Sequence, residues 1–431
     1  MRMNFGYRLP FAGMAFAVVA SMGAVAAQAA TTCDVHAFGA KGDGVSKDTA
    51  AIQAAIDSCS QKGGGTVVLS AGTYLSAPIV LKSNVDFHLD KGATLLGSPV
   101  QDDYKPITMF GEPDVQPLVY SLQAENISIT GEGTIDGNGS GWWEIARQAK
   151  KLGKDAGVLG YHPRPKLIIL DHTRHIRIEG VTIQNSPMWQ LVPYYADDVV
   201  IRNIKVLAPA DSPNTDAIDP FSSSNVVIDH VLADVGDDDI AIKSGAVGSA
   251  GPNDPSRNIT ITDCTFLHGH GLSIGSEISG GVHNVRVERI HFNGTDTGIR
   301  VKSNRDRGND IGNFVYRDID MKNVRYSIII SEYYPKQLPA EGEAPKPMTR
   351  LTPNFHDIYI ENVTSENSEN AGVIVGLPES PVLGVTLKNV KIEAKKPMLI
   401  GYAEVNGENV KVTVPEGEGI TKQVGSKVNL K

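Results

Sequence analysis

The sequence predicts an all-β protein folded as a right-handed parallel β-helix, with a helix capping its N-terminal end. From about residue 120 onward one pattern returns, hydrophobic–x–hydrophobic–x–polar–hydrophobic, and such strict alternation is typical of short strands with one buried face. Most successive copies lie 23 to 33 residues apart, a period that indicates a repeat architecture. No amphipathic helix separates the copies, which argues against a strand–helix solenoid or barrel. The copies span residues 176–181, 199–204, 226–231, 259–264, 285–290, 314–319, 358–363 and 385–390.

The overall composition limits the classes of function. The chain has 431 residues, 44 of them glycine, and a formal net charge of −9. A negative balance argues against binding to nucleic acid or to an anionic membrane surface, and at first sight also against an acidic substrate. The length would ordinarily suggest two or three domains. The repeat instead accounts for residues 30–431 as one elongated domain.

The first 29 residues have the pattern of a secretory signal peptide. Arg2 and Arg8 precede an apolar stretch over residues 9–27, and Ala27 and Ala29 form a small-residue cleavage site. A membrane anchor is the alternative, but no charged stop-transfer segment follows the apolar stretch. We therefore expect a secreted protein.

The segment after the signal peptide is expected to cover the open end of the β-helix. Residues 47–58 are alanine-rich and place Ile52 and Ile56 on one helix face, with Asp48 or Thr49 as the N-cap. Such a helix would shield the apolar interior of the first coil from water.

Two segments border the repeat without following its pattern. Residues 63–69 are expected to start the first strands after the cap. Residues 142–165 contain a basic helical stretch and are expected to be an insertion between coils.

The three cysteines have structural interpretations. Cys33 and Cys59 flank the capping helix, and export permits a disulfide between them. Cys264 lies in an alternating strand and is expected to be a small buried apolar residue. No cysteine–histidine spacing resembles a zinc site.

The second strands of successive coils align without gaps, and the alignment brings polar residues into one row. The aligned hydrophobic residues are Ile218, Ile240, Leu272 and Ile299. Two positions before them stand Asp216, Asp238, His270 and Thr297. Neighbouring strands lie about 4.8 Å apart, so two carboxylates and an imidazole line up over three coils. Arg300 and Lys302 project from the same side of the next strand, because side chains alternate with period two.

This row points to chemistry, because stacked carboxylates cost stability unless they are protonated or paired with cations. Taken alone, the acidic run of residues 236–239 would be interpreted as a solvated turn or a calcium loop. Taken alone, Arg300 and Lys302 would be a solvated strand face. Beside an acidic cluster they are better interpreted as a clamp for a substrate carboxylate. The glycines on either side of His270 are expected to leave room for a ligand.

The same residues carry a resemblance to a known family. Four segments resemble the signature motifs of the polygalacturonases, family 28 of the glycoside hydrolases: Asn214-Thr-Asp216, Gly236-Asp-Asp238, Gly269-His-Gly271 and Arg300-Val-Lys302. Each motif is short, but four in order on successive coils are specific. The segments 38–44 and 185–189 are also similar to family sequences, and the resemblance extends over about residues 34–405. It is strongest to secreted bacterial endo-polygalacturonases.

The resemblance implies hydrolysis of α-1,4-D-galacturonosyl linkages in polygalacturonate, with inversion and with no metal or cofactor. It assigns Asp237 as the general acid, with a pKa raised by its acidic neighbours. It assigns Asp216 and Asp238 as the groups that hold and deprotonate water. His270 would tune the acid, and three residues would contact the substrate. Those three are Arg300, Lys302 and a site tyrosine, which is Tyr334 or else Tyr333. Asn214 would orient the substrate or Asp216.

One departure from the family pattern concerns charge, and several alternatives stay open. Asp239 stands where the family commonly has Cys or Asn, so we expect an extra negative charge near the acid. Exo-acting hydrolysis is one alternative, although the lack of an added domain after the leader favours endo action. A calcium-dependent pectate lyase and a non-catalytic polysaccharide-binding β-helix are the others. The expected partner is polygalacturonate or demethylated pectin, bound by a monomer.

Overall fold

Short parallel strands stack as successive coils of a right-handed β-helix in the computed structural model, which describes residues 31–153, 163–339 and 343–431. Three strand stacks run along it, here called sheets A, B and C. Sheet A comprises Thr32–Asp34, Gly65–Leu69, Val85–Leu89, Glu125–Gly131, Arg174–Glu179, Asp197–Arg202, Ser224–Asp229, Ser256–Thr262, Val282–Asn293, Asp310–Lys322, Asn354–Val375, Val382–Gly401, Ala403–Thr413 and Lys427–Leu430.

Sheets B and C form the other two sides of each coil. Sheet B comprises Asp43–Lys47, Gly72–Ser76, Ala93–Gly97, Thr134–Asp136, Thr182–Gln184, Lys205–Leu207, Leu232–Asp234 and Thr265–Phe266. Sheet C comprises Ile79–Val80, Val119–Leu122, Ile168–Asp171, Leu191–Tyr194, Ile240–Ile242, Leu272–Ile274, Thr297–Lys302, Tyr326–Ser331 and Ile420–Lys422. Toward the C-terminal end the strands lengthen, and the late parts of the two longest ones, Asn354–Val375 and Val382–Gly401, pair in sheet C.

The sequence repeat and the coils coincide. The first hydrophobic residue of each copy pairs with its equivalent in the next coil, through Ile176, Val199, Val226, Ile259, Val285, Phe314, Ile358 and Val385. These side chains are all at most 2% exposed and belong to one continuous core. Burying each stabilises the fold by about 1.5–3 kcal/mol. The predicted fold class is therefore confirmed.

The N-terminal cap is confirmed in outline and corrected in detail. The helix Thr49–Gln61 buries Ile52 and Ile56 against the first coil, and Cys33 forms a disulfide with Cys59. The carboxylate of Asp48 does not cap the helix, since it accepts hydrogen bonds from the backbone N–H groups of residues 41 and 42. Asp48 therefore ties the preceding loop to the cap.

The expected start of the strands at residue 63 is wrong. Thr32–Asp34 and Asp43–Lys47 precede the capping helix and pair with the strands Gly65–Leu69 and Gly72–Ser76. These early strands lack a run of alternating apolar residues, since Thr32–Asp34 buries only Cys33 and Asp43–Lys47 buries no side chain. The sequence pattern therefore gave no sign of them.

Two further elements interrupt the coils. An antiparallel hairpin, Pro106–Met109 and Glu112–Val115, leaves the β-helix ahead of the strand Val119–Leu122. The helix Ser140–Lys151 opens the insertion that the sequence predicted. Short 3-10 turns cover Val35–Phe38 and Gln101–Asp103.

The described residues from Thr31 to Lys431 form one compact unit. The predicted signal peptide, residues 1–29, lies outside the described residues. Among the residues that are described, no helix has the length and apolar character needed to cross a membrane. Cys264 is fully buried, as expected, and burial raises the pKa of its thiol to about 12.

Candidate active site

The expected row of polar residues is present on sheet C. Ile218 pairs with Ile240, Ile240 with Leu272 and Leu272 with Ile299. The residues two positions earlier, Asp216, Asp238 and His270, therefore occupy one register position on three successive coils. The repeat of the fold brings them together although 54 positions of sequence separate the first from the last.

Asp238 is a buried carboxylate held by cations. Its side chain accepts hydrogen bonds from Lys302 Nζ at 2.6 Å, Ser273 Oγ at 2.8 Å and Arg300 Nη1 at 3.4 Å. Burial acts to raise the pKa of Asp238, but the charges of Lys302 and Arg300 outweigh it and hold the pKa well below its usual range. The cations therefore favour the ionised form of Asp238.

Asp216, one coil earlier, has the opposite character. Burial first, and the negative charges of Asp237 and Asp219 next, raise the pKa of Asp216 well above its ordinary value. Lys243 Nζ lies 3.6 Å from the Asp216 carboxyl and acts against this rise without cancelling it. Two carboxyl groups in one row are thus kept in different protonation states by their neighbours.

Asp237 and His270 form a hydrogen-bonded pair at the mouth of the site. His270 Nδ1 lies 2.9 Å from Asp237 Oδ1 and 4.0 Å from Asp238 Oδ1. The hydrogen bond to Asp237 raises the pKa of His270 in spite of its partial burial. The Asp237 side chain is 21% exposed, against 2% for Asp238, so Asp237 reaches furthest into the groove.

The expectation that Asp239 adds negative charge is wrong. Its side chain is fully buried, and its Oδ2 accepts a hydrogen bond from the backbone N–H of Gly271 at 3.0 Å. Burial raises the pKa of Asp239 well above its ordinary value, which favours the neutral form of this carboxyl. The same placement argues against an open calcium loop at residues 237–239, because one of the three carboxylates is turned away from solvent.

The glycines that flank His270 are required for a different reason from the expected one. A side chain at Gly269 would meet the backbone oxygen of Asp237 at 2.4 Å. A side chain at Gly271 would meet the backbone oxygen of Thr297 at 1.8 Å. Neighbouring coils, rather than a ligand, exclude side chains at both positions.

The predicted cationic clamp is present but already engaged. Lys302 is buried beneath the groove and bound to Asp238, whereas Arg300 makes only a long contact to the same carboxylate. The ring of Tyr334 lies beside Lys302, with the ammonium 5.5 Å from its centroid. Tyr333 instead packs in a separate apolar cluster with Val373. The structure therefore brings Tyr334 rather than Tyr333 to the site.

Three site residues were missed or undervalued in the sequence. Lys243 bridges Asp216, Asp219 and Glu277 at 3.6, 4.0 and 3.6 Å. Ile242 pairs with Ile274 and Ile274 with Val301, so Lys243 occupies the register position of Lys302 two coils earlier, a relation that the repeat of the sequence contains. Trp189 lies with its ring 5.0 Å from the Lys243 ammonium.

Arg164 is the third, and it comes from the insertion that begins with the second helix. Its guanidinium donates to the Asn214 side-chain oxygen at 2.7 Å and to the backbone oxygens of Pro187 and Pro213. Asn214 has a positive φ of 58°, and this bond fixes its side chain two residues before Asp216. A segment without a repeat offers no register, so the sequence could not place Arg164.

A metal ion is poorly accommodated among the described residues of this row. Asp237, Asp238 and His270 each bring one potential ligand atom within 4.8 Å of the others. However, His270 and Asp237 are bonded to each other, and Lys302 with Arg300 supplies the positive charge at Asp238. A cation entering here would have to displace or repel these groups.

Three comparisons relate this geometry to known proteins. The family model for glycosyl hydrolases family 28 matches residues 59–413. An endo-polygalacturonase from Pectobacterium parmentieri is 34% identical over 365 residues, covering 80% of this chain and 84% of that protein. A polygalacturonase structure from Erwinia carotovora ssp. carotovora superposes with a TM-score of 0.69 at 30% identity, over 94% of this chain and 97% of that one. A family 28 exopolygalacturonase from Yersinia enterocolitica gives a TM-score of 0.81 at 24% identity, over 93% and 78%, and this likeness concerns the fold alone.

Proposed function

This chain belongs to family 28 of the glycosyl hydrolases, and on that premise we propose that it hydrolyses α-1,4-D-galacturonosyl linkages of polygalacturonate within the polymer. The named activity of the Pectobacterium relative supports both the substrate and the internal position of cleavage. Membership of a hydrolase family leaves the calcium-dependent lyase without support. The register of Asp216, Asp238 and His270 on successive coils carries the proposal.

Asp237 acts as the general acid. It is the most exposed of the three adjacent carboxyl groups and therefore the one that meets a glycosidic oxygen in the groove. As the bond between the anomeric carbon and that oxygen breaks, the Asp237 proton passes to the oxygen. His270, bonded to Asp237 at 2.9 Å, orients this carboxyl.

Asp238 and Asp216 act on the attacking water from the opposite face of the sugar. Asp238, kept ionised by Lys302, accepts the proton of the water as its oxygen attacks the anomeric carbon. Asp216, whose pKa is raised mainly by burial, holds the water by a hydrogen bond. The product forms with inversion, since acid and water act from opposite sides.

Arg300 supplies most of the affinity for the galacturonate carboxylate. Its single contact to Asp238 is 3.4 Å long, so several of its five N–H groups remain for the substrate. Lys302 donates one hydrogen bond to Asp238, so only its remaining N–H groups can contact the same sugar. Tyr334 flanks this position and Asn214, fixed by Arg164, lines the other side of Asp216.

The test is incubation of the purified protein with polygalacturonate. Hydrolysis releases new reducing ends without an ultraviolet-absorbing unsaturated product, and a chelator leaves the rate unchanged. Early products that form a ladder of oligomers indicate internal cleavage, whereas monomer or dimer alone would contradict it. Proton nuclear magnetic resonance of the first product shows whether the anomeric centre is inverted. A non-catalytic binder would release no reducing ends.

We further propose that residues 1–29 direct secretion and that the mature protein acts as a monomer. The small residues Ala27 and Ala29 support cleavage after residue 29. Mass spectrometry of protein recovered from the culture medium gives the N-terminus, and sedimentation equilibrium gives the oligomeric state. An intact leader in the medium, or a dimer mass, would contradict these statements.

A further inference from the structure

The antiparallel hairpin of residues 106–115 covers the outer face of sheet C just before the catalytic coils. In the strands Ile168–Asp171 and Leu191–Tyr194, the side chains of Ile169 and Val192 point away from the main core. On an uncovered sheet they would face solvent, yet both are fully buried. They pack with Met109 of the hairpin, which shows that the hairpin lies directly on this part of the groove.

The tip of the hairpin fills the remaining space with an aromatic cluster. The ring of Phe110 lies 5.3 Å from that of Phe221, nearly parallel to it, and 4.5 Å from that of Tyr194. It also meets Trp189 edge to face at 5.6 Å. Offset and edge-on contacts at these distances are favourable, so the tip is held firmly against the sheet.

The hairpin also pairs with a lysine that shares the register position of Asp216. Ile168 pairs with Leu191, and Leu191 pairs with Ile218, so Lys166 and Trp189 precede Asp216 at the same register position. Lys166 is 6% exposed, and its ammonium is bound by the carboxylate of Asp114 in the hairpin. An anionic sugar two coils before Asp216 would find this lysine already paired.

In the opposite direction the row stays open. Beyond His270 and Thr297 the register continues through Tyr326, Asn370 and Lys396. These three residues line a surface pocket of about 410 Å³. The two sides of the catalytic carboxylates therefore differ: one ends in packed aromatic rings and a neutralised lysine, the other in an accessible pocket.

We infer that the hairpin is a wall that ends the row of sugar sites at Trp189. Coils lie about 4.8 Å apart, so there is room for about one sugar between Asp216 and the wall. A longer chain must leave the protein surface there, and the sugars that contribute to binding lie mainly toward the C-terminal coils. This inference rests on the proposed polygalacturonase activity and adds which part of the chain sets its product lengths.

The test uses oligogalacturonides of defined length, labelled at the reducing end, with bond-cleavage frequencies measured for the wild type, Phe110→Ala and Asp114→Asn. On oligomers no longer than the row of sites, the wild type should cleave predominantly at one or two bonds near one chain end, whereas a polymer leaves the surface at the wall and still gives a ladder of products. Phe110→Ala should spread cleavage at least one bond further from that end. Asp114→Asn removes the ion pair that ties the hairpin to Lys166, so it should loosen the wall and spread cleavage in the same direction by a smaller amount. Tyr359→Ala, a half-buried aromatic on the outer face of sheet A, is the control and should match the wild type.

Three results would overturn the inference. One is equal cleavage of all internal bonds by the wild type. The second is an unchanged cleavage pattern in both hairpin variants at an unchanged melting temperature. The third is an effect of the same size in the control variant. If Phe110→Ala does not fold, Asp114→Asn decides, because it keeps the aromatic tip. A wild type that releases no reducing ends would instead contradict the proposed function.

Discussion

Two ladders of polar side chains run along this β-helix, and their polar groups find hydrogen-bond partners in different ways. On the edge of sheet A, Asn362, Asn389 and Asn409 stack over successive coils, each side-chain amide donating to the one before it at 3.0 Å. On sheet C, Asp216, Asp238 and His270 stack with the same spacing. An amide both donates and accepts, so an asparagine ladder satisfies itself by repetition.

A row of carboxylates cannot satisfy itself in this way. Ionised carboxylates only accept hydrogen bonds and repel one another, so cations must be placed between them. Lys302 and Lys243 lie beside Asp238 and Asp216 for this reason. The asparagine ladder stabilises the fold, whereas the carboxylate row costs stability, and we propose that it is retained for its chemistry. Each of the following substitutions tests one side of this contrast.

The largest effect is expected for Asp237→Asn. An amide cannot transfer a proton to the leaving oxygen, and positioned acid catalysis contributes roughly 10²–10⁴-fold to a rate. We expect kcat to fall by about 10³ or more with an unchanged melting temperature. Initial rates of reducing-end release measure this. Near-normal activity would contradict the assignment of the acid.

The second effect concerns Lys302→Ala and the pH dependence of activity. The lowered pKa of Asp238 results from Lys302 and Arg300 opposing the effect of burial. Without Lys302 the pKa of Asp238 should rise, so the base is protonated at higher pH than before. The acidic limb of the kcat/KM profile should therefore move to higher pH, and activity at neutral pH should fall by one to two orders of magnitude.

Arg300→Ala is the matched control for that measurement. Arg300 has a longer contact to the same carboxylate and more freedom to bind substrate. We expect mainly a higher KM and a smaller movement of the acidic limb. Equal shifts of the limb in both variants would contradict the separate roles of the two cations.

The third effect is on stability and its pH dependence, in Asp219→Asn. Asp219 is fully buried, neither carboxyl oxygen has a hydrogen-bond partner, and burial raises its pKa to about 8. An aspartate in the unfolded chain has a pKa of about 4, so the stability that comes from the neutral folded carboxyl is fully present below that pH. This stability is lost as pH rises toward 8. Asparagine does not titrate, so the variant should gain melting temperature relative to wild type at pH 8 and gain less at pH 5. An equal difference at both pH values would contradict the raised pKa.

The two ladders also explain what could be predicted from sequence. The register of Ile218, Ile240 and Leu272 follows from the repeat, so both the fold and the row of Asp216, Asp238 and His270 could be aligned without a structure. The hairpin at Phe110 and the loop carrying Arg164 have no counterpart in other coils, so nothing in the sequence gave their position.

The burial of single side chains could not be predicted from the sequence either. Asp239 differs from its neighbours in being turned away from the groove. Successive side chains of a strand point to opposite faces, so a shift of one residue decides which of these carboxyl groups is turned away. The same acidic run therefore contains a partly exposed carboxyl that we propose as the acid, a cation-paired carboxylate that we propose as the base, and a fully buried carboxyl. Their different roles arise from contacts with Lys302, Gly271 and His270, which lie on later coils.

The smallest effect is expected for Asn389→Ala, on the ladder that has no catalytic role. The substitution removes one donated and one accepted amide bond, each worth about 1 kcal/mol, and places alanine at a φ of 52°. Urea unfolding should show a loss of about 1–2 kcal/mol, and Asn389→Gly should lose less, because glycine accepts that φ without strain. Both variants should keep the wild-type kcat and KM, since sheet A does not form the groove. A loss of activity at full stability would contradict the division between a ladder that holds the coils together and a row that performs the reaction.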